Sequence, residues 1–150
     1  MCKFRVEITY MFQKRKQISI STNGKDLYDI TAIVGDFVKK SHIKDGLLNI
    51  TVLHTSASLI VQENADYSVR QDVLEFFDQL CPESINYKHN TEGKDDMPAH
   101  LRSLLTQNHL TFSVVNQCIV LGQWQGIYFF EHRRSMKNRN IQLHILGDSI

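Results

Sequence analysis

Residues 45–66 read DGLLNITVLHTSASLIVQENAD, and the architecture is decided there. Asp45 and Gly46 have turn chemistry, and Leu48, Ile50, Val52 and Leu53 then make a strongly apolar strand over residues 47–54. The run breaks at the polar cluster His54-Thr55-Ser56, and a second strand follows over residues 58–62. The stretch predicts strand, polar corner, strand.

On its N-terminal side, residues 4–10 and 17–21 mix β-branched, aromatic and polar residues in near alternation and predict two strands joined by a short basic link. After Asn23-Gly24, residues Ile30, Ile33, Val34, Phe37 and Val38 recur at three- and four-residue spacing. This predicts an amphipathic helix over 29–40, with Asp29 or Thr31 as its cap. On the C-terminal side, Val69, Val73, Leu74, Phe76, Phe77 and Leu80 predict a second helix from Asp66, stopped by Pro82. Residues 83–97 form a polar connection long enough to be functional or mobile. Pro98 opens a third helix over 99–106, which turns Leu101, Leu104 and Leu105 to the core and leaves His100 off that stripe. Further strands are predicted over 111–115, 118–121, 126–132 and 141–146. Several strands with two or three helices on one side make an α+β fold with a mostly antiparallel, curved or sandwich-like sheet. A length of 150 residues, 42% of them hydrophobic, suits one domain.

Lys plus Arg number 17 against 16 Asp plus Glu, a net charge of +1, so no overall field draws the molecule to nucleic acid or an anionic membrane. Cys2, Cys81 and Cys118 are odd in number and lack CxxC spacing, which fits a reducing, cytoplasmic setting; Cys81 and Cys118 lie beside apolar runs and are expected to pack as small hydrophobes. Charges interrupt every apolar stretch of the first 20 residues, so neither a signal peptide nor a membrane span is expected.

Four polar groups sit where elements end. His54-Thr55-Ser56 offers an imidazole and two hydroxyls for proton transfer or phosphate binding, or a strand-end histidine bonded to backbone. Glu63, Asn64 and Asp66 supply an acid, an amide and a helix cap. His89, Asp96 and His100 bring two imidazoles and a carboxylate to a loop and the first turn of a helix; this is not a tight metal signature, and a solvated acidic loop would use the same letters. Gly122, Trp124 and Gln125 make either a ligand-facing or an ordinary hairpin. Beyond Glu131, residues Arg133, Arg134, Lys137 and Arg139 form a basic turn able to hold phosphate. His42, His109, His132 and His144 read as structural or surface groups.

Taken in order, DIT, DGLLNITVLHTSASLIVQENAD, YKHN, DDMPAHLRSLL and LGQWQGIYFFEHRR resemble the YjbQ-like, or UPF0047, family, also labelled secondary thiamine-phosphate synthase. The resemblance runs from about residue 18 to 147 and departs at 132–138, where the family usually has a short Gly- and Pro-containing turn. It implies a homotrimer whose pocket gathers His54, His89 and His100 as metal ligands, with zinc or magnesium as the ion. It implies catalytic roles for His54, Glu63, Asn64 and Asp96, and substrate contacts from Thr55, Ser56, Gly122, Trp124, Gln125, Glu131 and Arg139. The activity implied is the joining of a phosphorylated thiazole to a pyrimidine diphosphate. The alternatives are an accessory protein that binds a metal or a small phosphorylated metabolite, and a zinc-dependent phosphoester hydrolase in which Glu63 or Asp96 is the base.

Overall fold

The structure is a computed structural model and describes residues 11–150; the strand predicted over 4–10 and Cys2 lie outside them. Three helices, α1 (Thr31–Ser41), α2 (Tyr67–Leu80) and α3 (Asp96–Leu105), accompany eight strands. Strands β1 (Phe12–Asn23), β8 (Met136–Ser149), β3 (Ile43–Val52), β5 (His109–Val115) and β6 (Cys118–Ile119) form a five-stranded sheet in that spatial order. Strands β2 (Asp26–Asp29), β7 (Gln125–Glu131) and β4 (Ala57–Glu63) form a second sheet, and every pairing in both is antiparallel. The α+β, mostly antiparallel architecture is therefore as the sequence predicts.

The main core lies between the inward faces of both sheets, where Ile50, Leu59, Phe129 and Leu143 meet Val34, Phe37 and Val38 of α1. Strand β7 is buried on both sides, because Ile127 and Phe129 enter this core while Tyr128 and Phe130 turn outward against Val73, Leu74 and Phe77 of α2. A strand covered on both faces has no need to alternate, which is why residues 126–130 read as the unbroken run GIYFF. The helices consequently lie on more than one side, not on one as the pattern implied.

Local differences have physical causes. The basic link at Lys14–Lys16 is part of β1, an edge strand among the described residues, where lysines discourage further pairing. Asp45-Gly46 lies inside β3, not at a turn, directly after a register irregularity at Lys44, and the reversal falls at His42, whose φ is +61°. Gly46 is needed because a Cβ there would sit 2.1 Å from the Leu146 carbonyl oxygen. Asp66 caps α2 as expected, accepting the Ser68 N–H at 2.8 Å. That helix leaves Phe76 and Leu80 exposed, although the spacing predicted them inward, and α3 does the same with Leu104 and Leu105. Each of these helices covers the sheet with too narrow a face to bury every apolar residue at helical spacing. Cys81 is buried and Cys118 is exposed, so only the first packs as a small hydrophobe.

Candidate metal centre and adjoining cavity

Asp96 opens α3, where the positive end of the helix dipole favours a carboxylate. His100 follows one turn later on the same face, and His89 reaches in from the preceding loop. Arg133, just past β7, fastens this corner. Its Nε donates to Asp95 at 3.1 Å, its Nη1 to Asp96, and its Nη2 to the Glu92 carbonyl at 2.8 Å. Burial pushes the Asp95 carboxyl up, but the Arg134 N–H and the Arg133 guanidinium outweigh it and hold the pKa below the usual range.

One ligand atom from each of His89, Asp96 and His100 lies within 4.8 Å of the others. His100 Nδ1 is 2.9 Å from the Thr55 carbonyl oxygen. A carbonyl only accepts, so the ring proton belongs on Nδ1 and the Nε2 lone pair faces Asp96 Oδ1 at 3.7 Å. This is the outer-shell bond that orients metal-binding histidines. His89 Nε2 stands 2.8 Å from Asp96 Oδ2, yet that oxygen is buried without an aligned donor. A carboxylate oxygen in that state is costly unless a cation shares it. Two imidazoles and one carboxylate are a donor set suited to zinc; magnesium prefers a shell of oxygens and water.

A cavity of about 480 Å³ adjoins the triad, with His100 on its wall. Met97, Leu101 and Leu104 of α3 make its apolar side, and Thr55, Ser103, Thr106 and Asn108 its polar side. His54 also lines it, and its Nε2 accepts the Asn140 N–H at 2.8 Å. A neutral imidazole bound in this way carries its proton on Nδ1. Burial and the nearby Arg139 lower the His54 pKa, with Glu131 opposing them, so the ring is held neutral.

The remaining candidates divide between two places. Ser56 lies near the triad, its carbonyl 3.5 Å from Arg139 Nη2. Glu131 and Arg139 are buried against each other, with Glu131 also accepting from Thr22 and from the backbone N–H groups of His132 and Arg133. They brace the end of β7, with the Glu131 carboxylate fully engaged by Thr22, Arg139 and the backbone and only the Nη1 of Arg139 without a partner among the described residues. Glu63, Asn64, Gly122, Trp124 and Gln125 gather at the opposite end of the β4–β7 pair. There the Asn64 N–H donates to the Trp124 carbonyl at 3.0 Å, and Gln125 Oε1 accepts the Gly122 N–H at 2.7 Å. Six residues of strand separate this pole from the triad, roughly 20 Å. His132, read as structural or surface, is fully buried and 2.8 Å from Ser58 Oγ. The atypical 132–138 segment thus supplies His132 and Arg133 to the interior. Sequence reading missed Arg133 as the anchor of Asp96, because a run of arginines looks the same whether solvated or buried. It also missed Ser103, Thr106 and Asn108, whose place on the cavity wall depends on how α3 docks on β4.

Comparison with known proteins agrees along nearly the whole chain. The family model described as "UPF0047 protein YjbQ-like" matches residues 16–148. The UPF0047 protein sll1880 of Synechocystis sp. is 44% identical over 137 residues, covering 91% of this chain and 93% of that protein. The UPF0047 protein YjbQ of Escherichia coli O157:H7 is 35% identical over 135 residues, covering 89% and 98%. A YbjQ-like protein of unknown function from Sulfolobus solfataricus P2 superposes with a TM-score of 0.86 at 29% identity, over 93% of this chain and 100% of that one.

Proposed function

The chain belongs to the YjbQ-like UPF0047 family, and on that premise we propose that it is a zinc-dependent hydrolase of a small phosphorylated metabolite, with His89, Asp96 and His100 as the metal ligands. The observation that carries this reading is the convergence of those three donors around an Asp96 oxygen that has no aligned hydrogen bond. When bound, a zinc ion supplies Lewis acidity for a phosphoryl oxygen and for water. The chain's own groups do the rest. The Thr55 carbonyl fixes the His100 tautomer, Arg133 holds Asp96 in place, and His54 offers its Nδ1–H to a ligand in the cavity.

Hydrolysis is favoured over the transferase implied by the resemblance. That reaction passes through a carbon cation that must be kept from water, whereas the His89 side chain is 49% exposed. A diphosphate also needs several cationic partners, and Arg133, Arg134 and Arg139 are each paired with carboxylates, of Asp95 and Asp96, of Glu83 and of Glu131. If Glu63, Trp124 and Gln125 serve the same site, they reach it from a neighbouring copy, as the proposed homotrimer would permit.

Metal analysis and calorimetric zinc titration of the purified chain test the reading. We expect about one zinc per chain, at least a hundredfold loss of affinity in a His89→Ala, His100→Ala double variant, and zinc-dependent phosphate release from a phosphomonoester panel. Zinc binding untouched by the double variant would overturn it. Stoichiometric zinc without turnover would move the protein to the accessory class, and formation of thiamine phosphate would restore the transferase.

A further inference from the structure

The cavity beside His100 has a chemistry that narrows the ligand class. Its lining contains imidazole, hydroxyl, amide and apolar groups and no Lys, Arg, Asp or Glu among the described residues. Much of its polar capacity is already committed. Ser103 Oγ donates to the Ala57 carbonyl at 3.1 Å, Thr106 Oγ1 bonds to Ser58 Oγ at 2.6 Å and to the Arg102 carbonyl at 2.7 Å, and Asn108 Oδ1 is engaged by His109 Nδ1 at 2.8 Å. What is left to a ligand is mainly the carbon surface of Met97, Leu101 and Leu104, with the Nδ1–H of His54, the Thr55 hydroxyl and the Asn108 Nδ2 as the uncommitted polar groups.

A sugar phosphate would bring several hydroxyls to a wall with few free partners, and each unmatched group would lose its hydrogen bonds to water. A second phosphate would bring charge to a wall with no cation. A flat apolar ring meets neither cost. We infer that the cavity binds an aryl phosphomonoester, its uncharged ring against Met97, Leu101 and Leu104 and its phosphoryl group at the His100 end. This rests on the triad reading above and adds the identity of the substrate body.

Non-hydrolysable probes separate the two claims. The zinc-loaded full chain is titrated calorimetrically with phenylphosphonate and with methylphosphonate, and bound zinc is measured in the same samples. Burying a ring against three apolar side chains should make phenylphosphonate bind at least about tenfold tighter than methylphosphonate. Leu104 is 79% exposed, so Leu104→Glu should fold, which circular dichroism checks. It should abolish that preference by setting a carboxylate beside the ring while leaving zinc content unchanged. Equal affinities for the two probes with zinc in place, or a preference that survives Leu104→Glu, would overturn the ring site and leave the triad standing. Failure to hold zinc at all would bring down both.

Discussion

His132 shows what a single buried residue can do to the whole stability curve. Its Nε2 bonds to Ser58 Oγ and its Nδ1 is buried without a partner. The proton therefore sits on Nε2, since a proton on Nδ1 would be a buried donor with no acceptor. Burial, then the charges of Arg102, Arg139 and Lys25, lower its pKa from 6.5 to about 3. Above the unfolded-state value neither state binds the extra proton; between it and the folded value only the unfolded chain does. Stability should accordingly fall as pH drops through that window, by on the order of 5 kcal/mol for this group. Urea midpoints at about pH 7 and about pH 4 should capture about 3 kcal/mol of it, the rest being lost below about pH 4. His132→Gln, which keeps a donor for Ser58, should flatten the dependence but leave the acid contribution of Asp95; an unchanged slope would refute the assignment. Nothing around residue 132 in the sequence signals this burial, because its partner Ser58 is 74 residues away. The histidines of the triad were easier to single out, since each falls on a loop or at a helix start and their spacing already suggested a meeting with Asp96, whereas the resemblance implied His54 as the third ligand.

At the scale of the element, glycines give opposite expectations according to what faces them. At Gly46 an added methyl would collide with the β8 backbone, so Gly46→Ala should cost about 3 kcal/mol or more, or force the β3–β8 pairing to rearrange. Gly35 lies within α1, where a methyl group would meet nothing within 4 Å, and Gly35→Ala should stabilise by roughly 0.5–1 kcal/mol. Thermal melts of the pair decide both signs. These two positions also show what was legible. The periodicity around Gly35 announces its helix. Asp45-Gly46 has the letters of a turn but serves a close approach by a strand 100 residues later, which no local pattern encodes. Strands β3, β4 and β7 were readable because their apolar runs are dense. The ends of β1 were not, because an edge strand carries charges where an interior strand carries valines.

For the whole molecule, the distance between the triad and the Trp124 hairpin sets the main expectation. If both poles contribute to one site, copies of the chain must bring them together, and the proposed homotrimer should give three chain masses by sedimentation equilibrium. A single chain mass at every concentration would remove Glu63, Trp124 and Gln125 from the chemistry. The exposed Phe76, Leu80 and Leu105 give such an assembly apolar surface to bury. The placement of β8 between β1 and β3 has a different bearing, on how the protein is made. During synthesis both neighbours emerge from the ribosome long before the strand that joins them. A nascent chain therefore carries two unzipped flanks until residues 136–149 have followed them, and the wedge that locks them is the last of the described strands to emerge.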